Sequence, residues 1–479
     1  MRTRDERRLQ TPAGPHRSGS PGDPAAARLP VDRDQDLGRR TQPARSCQMN
    51  VVVVGGGVAG IVAALDCAQA GAAVTLVEVR PRLGGAAYSV RRDELWIDNG
   101  QHVFLRCCTA YRALLARLDS EAGVDLQPRL DIPVLAPGRP TARLRRSGAR
   151  PPLHLAGALL RYPHLSLRER LSAGRAALAL GRQPLDDSRT LGAWLSEHGQ
   201  SERAIATLWD LIALPTLNVP AAEASLALGA FVFQEGLLGD AAAGDVGLHR
   251  APLQHVIGDP AERALARAGV TVHLRWPAQR VTTIGDRFAV VGSDSWLAAD
   301  RVVVAVPHDR AAALLPAAAL RDAAWPGALG SSPIVNLHLV YDRRVFEHRF
   351  AAGVDTPVQY VFDRTPPEWT QRQYIAVSLS GARQEMGMST AALRERFVPA
   401  LADLLPEAGS ARLEHFSATK EHAATFLATP GTAALRPPPA TALPGLALAG
   451  AWTATGWPAT LEGAARSGQA AAEAVLAER

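Results

Sequence analysis

Residues 50–85 constrain this chain more than any other stretch. Asn50-Val-Val-Val-Val54 has no polar face and reads as a strand buried on both sides. It runs into Gly55-Gly-Gly57-Val58-Ala59-Gly60 and then an Ala-rich helix from Ile61 to Ala70. A second apolar strand, Ala73 to Val77, ends on Glu78. A βαβ start with an acid about 20 residues beyond the glycines has the spacing of a dinucleotide-binding unit. Gly55 permits the tight turn, and Gly57 lets backbone approach a pyrophosphate. Gly60 lets the helix pack close to the strand, which aims its positive end at the phosphates. Val58 and Ala59 complete the expected cofactor-binding turn. Glu78 suits both ribose hydroxyls and would repel a 2′-phosphate.

A second close-approach loop follows directly: Arg80, Arg82, Gly84 and Gly85. Simple nicotinamide dehydrogenases have no use for it, whereas an extended FAD needs a second backbone turn beside its ribityl chain. These residues resemble the FAD-dependent amine oxidase and phytoene desaturase superfamily, where Arg often follows the Gly pair. Here that position is Ala86.

Further blocks narrow the resemblance. Leu95-Trp-Ile-Asp98-Asn-Gly100-Gln101-His102-Val-Phe104 is similar to the squalene-associated branch, the hydroxysqualene dehydroxylases. So are Leu217-Asn218-Val-Pro220 with Ala224-Ser225, and Thr419-Lys420-Glu421-His-Ala-Ala-Thr425-Phe426. Near the C-terminus, Gly450-Ala451-Trp452 precedes Gly456-Trp457-Pro458-Ala-Thr460-Leu-Glu462-Gly463, and Pro458 is read as the first turn of a terminal helix. The family block usually has Asp where Ala451 stands. The resemblance covers Met49 to the C-terminus.

It implies an α/β fold: a Rossmann-like FAD-binding domain with a parallel sheet, and an intertwined α+β substrate domain. The FAD-binding domain is expected over 49–136, 249–310 and 429–479. Residues 137–248 are expected to be mostly helical and substrate- or membrane-facing, and 311–428 to form the substrate-domain sheet. Residues 1–48 show no hydrophobic period and read as a disordered tail, or as the product of a start upstream of Met49. Val281 is expected at the edge that holds adenine. The C-terminal block adds Gly450, Ala451, Thr460 and Glu462 to the cofactor site, and Gly100 passes beside the flavin.

The implied reaction reduces hydroxysqualene to squalene with hydride from reduced FAD and loss of water. His102, Gln101 and Asp98 are the candidate catalytic residues, with His102, which can be cationic near neutral pH, as the proton donor. The structural alternatives are a His bonded to backbone and an Asp that caps a turn or pairs with Arg. Phe104, Phe231, Phe233, Trp452 and Trp457 are candidates for lining a dry cavity for an apolar C30 isoprenoid. FAD is expected to be non-covalent, because no Cys follows Cys108. No second nucleotide motif appears, so the electron donor stays unknown. Carotenoid desaturase, amine oxidase and a non-catalytic prenyl-lipid carrier remain alternatives.

Composition excludes other classes. The charge of +6 is unclustered, so no nucleic-acid partner is expected, and no metal site is read. The four cysteines form no CxxC, which suits a reduced, cytoplasmic setting. No run is apolar enough to span a membrane. Gly157 to Arg182 carries Arg161, Arg168, Arg170, Arg175 and Arg182 among Leu and Ala. It reads either as a peripheral membrane helix or as a solvated face.

Overall fold

The computed structural model describes residues 48–319 and 327–477. Of the expected tail, only Gln48 falls within them. Asn50–Val54 is the central strand of a five-stranded parallel sheet. The order is Thr271–Leu274, Ala73–Glu78, Asn50–Val54, Arg301–Val304, Leu446–Leu448. Its valines alternate between two cores, as a strand covered on both faces requires. Val51 and Val53 belong to the core that holds Ile61, Leu115 and Ala471, while Val52 and Val54 belong to the one that holds Leu180, Trp209 and Trp452.

The first helix, Val58–Gln69, packs along the C-terminal helix, Leu461–Ala477, at backbone contact distance. A Cβ on Gly468 would lie 2.3 Å from the Ala59 carbonyl oxygen, and one on Gly60 would lie 1.9 Å from that of Gly55. The C-terminal helix begins at Leu461, after a turn in which Thr460 Oγ1 accepts from Gly463 N at 3.1 Å. Pro458 therefore precedes the helix and is not its first turn.

The second sheet is mixed and seven-stranded. Its order is Leu413–Phe426, Ser331–Tyr341, Gln373–Ser380, Tyr360–Asp363, Phe350–Gly353, Asp131–Leu135, Ala142–Arg145. Asp131–Leu135 thus joins this sheet, so the chain leaves the dinucleotide fold earlier than the expected boundary at 136. Strand Ser331–Tyr341 alternates cleanly. Val335, Leu337 and Leu339 pack on the helix Thr390–Leu404 through Phe397 and Leu401, which turns Asn336 and His338 to the opposite face. Helices dominate 153–238, while the strands Ala142–Arg145 and Val246–His249 fall at the two ends of the stretch 137–248 expected to be helical. Val281 sits on a separate three-stranded antiparallel sheet with its side chain in the core. The strand flanking Ala73–Glu78 is Thr271–Leu274. Among the described residues no helix is long and apolar enough to cross a membrane.

Gly468→Leu should wedge the two helices apart and cost about 1–3 kcal/mol, the usual range for overpacking. Urea denaturation should show a lower midpoint with an unchanged slope.

Candidate active site

Two loops meet at the C-terminal end of the parallel sheet. Gly57 and Gly84 form a bridge, and a Cβ on Gly85 would come within 2.6 Å of Gly57 Cα. The Glu78 carboxylate, 7% exposed, ties them together: Oε2 accepts from Gly56 N at 2.6 Å and Oε1 from Arg80 N at 2.8 Å. Arg80 donates to the Gly85 carbonyl at 3.0 Å. The Arg82 guanidinium lies 3.6 Å from the centre of the Tyr88 ring, and its Nη1 is buried with no partner. Burial, then the neighbouring charge of Arg80, lowers the Arg82 pKa.

The Asp98–His102 turn is held from several sides. Asp98 Oδ1 accepts from Ser89 Oγ at 2.6 Å and Leu253 N at 3.1 Å, while Oδ2 pairs with Arg364 Nη2 at 2.6 Å. Arg364 also donates to the carbonyls of His249 and Ala251. Asp98 therefore acts as a clamp, the Arg-pairing alternative to the catalytic role expected of it. Its carboxylate joins the turn to the second sheet. Asn99 accepts from Tyr88 N at 3.1 Å and donates to Ala86 O at 2.9 Å and Glu421 Oε1 at 3.1 Å. Its own carbonyl accepts from Asn336 Nδ2 at 3.0 Å and Thr419 Oγ1 at 3.3 Å. Glu421 also accepts from the Tyr88 hydroxyl at 3.0 Å, whereas Lys420, one residue away along the strand, donates to Met386 O and Met388 O.

Two buried amide atoms beside this turn have no partner: Gln101 Nε2 and Asn336 Oδ1. His102 borders a cavity of about 10 Å³ with Asp98, Gln101, His249 and Arg364, room for about one water. Burial lowers the His102 pKa, opposed less strongly by Asp98 and Glu421. The imidazole is thus mostly neutral at neutral pH. Its backbone carbonyl accepts from His249 Nδ1 at 2.7 Å. That contact fixes the His249 tautomer, so Nε2 accepts from the Tyr111 hydroxyl at 2.7 Å. On the second sheet, Thr419 donates to Asn99 O. By the same logic His338 Nε2–H donates to Thr419 Oγ1 at 3.0 Å, and Nδ1 accepts from Tyr374 Oη at 2.8 Å.

The C-terminal block supplies one residue that sequence reasoning missed. Arg436, 6% exposed, donates to Ala451 O at 3.1 Å, Thr453 O at 2.5 Å and Thr455 Oγ1 at 3.2 Å, and burial pushes its pKa down to about 10. Gly450 has φ +145°, and its N–H donates to Ser467 Oγ. Glu462 is buried and accepts from Ala110 N at 3.1 Å, Tyr111 N at 2.8 Å and Arg466 Nε at 2.6 Å. It caps the helix Thr109–Arg117, a different task from the cofactor contact expected of it.

The aromatic candidates divide. Phe104 packs edge-on to Tyr111 and His249, Phe233 edge-on to Trp209, and Trp452 is anchored by Nε1 to Val306 O at 2.9 Å. All three are core residues, which corrects their assignment to a cavity. Phe231 and Trp457 remain half-buried and meet edge-to-face at 5.1 Å. Trp457 lines a cleft of about 510 Å³ with Arg106, Arg112, Gln234 and Glu235. Among the described residues no group of three or more His, Cys, Asp or Glu could hold a metal ion.

A parallel five-stranded sheet with two apposed glycine loops, beside a mixed sheet bonded to the adjoining turn at Asn99, defines a flavoprotein oxidoreductase fold. Residues 58–476 match the model of the flavin containing amine oxidoreductases, and this chain belongs to that family. A pyridine nucleotide-disulphide oxidoreductase model matches residues 11–99. Among curated relatives, the chain is a homologue of hydroxysqualene dehydroxylases. That of Rhodopseudomonas palustris is 31% identical over 89% of this chain and 98% of the relative. That of Sinorhizobium fredii is 29% identical over 90% and 99%. In fold it is similar to a putrescine oxidase (TM-score 0.67, 19% identity, 90% of this chain and 99% of that one).

Asp98→Ala should cost about 3–5 kcal/mol, because it leaves the Arg364 charge buried without its partner. Chemical denaturation measures this directly. His249 and His338 are held neutral, with pKa values lowered by burial from 6.5 to about 3. The unfolded chain therefore binds more protons between those values, and stability should be full above pH 6.5 and fall as pH drops towards 3. Urea midpoints across that range should decline, with a shallower decline in His249→Gln.

Proposed function

We propose that this chain binds FAD non-covalently and reduces hydroxysqualene to squalene with release of water. The observation that carries the reading is the buried, unpartnered Gln101 Nε2 beside the Asp98–His102 turn, in a chain homologous to hydroxysqualene dehydroxylases. The glycine loops suit the cofactor. Both Glu78 oxygens keep a lone pair free for ribose hydroxyls, the Gly55–Gly60 turn opens a helix towards a pyrophosphate, and the unpartnered Arg82 Nη1 is a donor for an anionic group. Arg436, by gripping the carbonyls of Ala451 and Thr453, shapes the loop at the position where the family usually has Asp. Reduced FAD, when bound, supplies the hydride.

The residues of this chain do the rest. Gln101 N–H holds the substrate hydroxyl. Departure of hydroxide requires a proton on that oxygen, and His102 is the titratable side chain of the turn outside the Asp98–Arg364 ion pair. Being neutral at rest, it must acquire its proton before transfer, so the reacting form is the minority form at neutral pH. Asp98, Arg364 and Asn99 keep the turn rigid while this happens. Phe231 and Trp457 present apolar surface to the isoprenoid chain.

The decisive test is anaerobic mixing of chemically reduced, FAD-loaded protein with hydroxysqualene. Flavin reoxidation with an equal amount of squalene is expected. Flavin that stays reduced, with the alcohol recovered, removes this reading and directs attention to oxidative chemistry on carotenoid precursors or amines. Gln101→Leu should lower kcat/KM roughly tenfold or more, the value of one hydrogen bond to the reacting group. Activity should rise as pH falls through the depressed His102 pKa, below 6.5, and His102→Gln should abolish that limb.

A further inference from the structure

Six of the most exposed large apolar side chains fall within one stretch of the chain: Leu153, Leu160, Leu167, Leu171, Leu178 and Leu185. Three of them lie on the helix Leu167–Leu180, with Leu167 62%, Leu171 48% and Leu178 49% exposed. At about 100° per residue, these three fall within an arc of about 40°. Arg168 and Arg175 occupy the adjoining arc, at about 80–100° from Leu167. Arg182 follows just beyond the helix end. The opposite side, Ala173, Ala176 and Leu180, is buried against the core. The outer face is thus an apolar stripe edged by guanidinium groups, and no fold contact accounts for it.

The charge on this face is unbalanced. Arg168, Arg175 and Arg182 make no ion pair among the described residues, although many other exposed arginines do, including Arg143, Arg267, Arg343 and Arg372. The nearby acids are engaged elsewhere. Glu169 closes the helix capping box with Ser166 and accepts from Ser201, Asp186 accepts from Ser188 N, and Asp187 holds Ser225 and Ala433 N.

We infer that this face docks on an anionic lipid bilayer, with the leucines entering the interface and Arg168, Arg175 and Arg182 on the phosphates. A second copy docked through this same face would bring the same arginines against them. The helix is also joined to the inner helices. Gln234 Nε2 donates to Leu180 O and Gln183 O at 2.8 Å each, and Gln234 directly follows the helix Leu226–Phe233 that carries Phe231 to Trp457. A bilayer seated here lies against the helices that border the Trp457 cleft. The inference concerns binding and holds whatever reaction the protein performs.

Sedimentation of the FAD-loaded full chain with vesicles tests it. Protein should pellet with vesicles containing phosphatidylglycerol, weakly with phosphatidylcholine alone, and less as salt rises. Arg168→Gln/Arg175→Gln/Arg182→Gln should lose about fivefold in affinity per arginine. Leu167→Ser/Leu171→Ser/Leu178→Ser should lose binding at every salt concentration, with melting temperature and flavin content unchanged. A tryptophan at position 171 (Leu171→Trp) should shift its emission to the blue on the anionic vesicles. Wild-type protein that stays in the supernatant, or an arginine variant that binds like wild type, overturns the inference. So does a concentration-dependent dimer that the leucine variant abolishes in the absence of lipid.

Discussion

Everything at the candidate site depends on how closely backbone approaches backbone at one end of the parallel sheet. Gly57 and Gly85 touch, Gly60 lies against the Gly55 carbonyl, and Gly468 lies against that of Ala59. Side chains at these points would separate the first helix from its strand, the second loop from the first, and the C-terminal helix from both. Glu78 then ties the two loops with one carboxylate through two backbone amides. The acid that the spacing marks for a ribose is at the same time a fastening of the fold.

A second constraint holds the two sheets to each other. The junction contains a buried ion pair, Asp98 with Arg364, and a neutral chain of donors and acceptors through Asn99, Thr419, His338 and Tyr374. Buried polar groups are costly unless each finds a partner. Nearly every one here does, which makes Gln101 Nε2 and Asn336 Oδ1 informative. They stand unpartnered beside the turn where the reaction is proposed to occur.

Much of the fold was legible in the linear pattern. The valine run, the glycines, Glu78 and the Gly84-Gly85 pair act through local geometry, which spacing encodes directly. The partners of Asp98 were not legible, because Arg364 is distant in the chain and arginines are abundant in this sequence. Arg436 went unnoticed for the same reason. Phe104, Phe233 and Trp452 illustrate another limit: an aromatic residue reads alike whether it lines a cavity or fills a core. Only the neighbours Tyr111, Trp209 and Val306 decide which it is. Lys420 and Glu421, adjacent in sequence, reach quite different partners because neighbouring strand residues point to opposite sides.

By itself, the sequence determined the dinucleotide-type βαβ unit, the second glycine loop and the family, since these rest on residues close together in the chain. It also marked the arginine- and leucine-bearing segment from Gly157 to Arg182. Tertiary structure alone decided which of those side chains face outward. It made Asp98 and Glu462 structural clamps, set His102 to its neutral form, and left Gln101 with a free donor. These outcomes depend on burial and on partners brought together from hundreds of residues away, quantities that no local pattern carries.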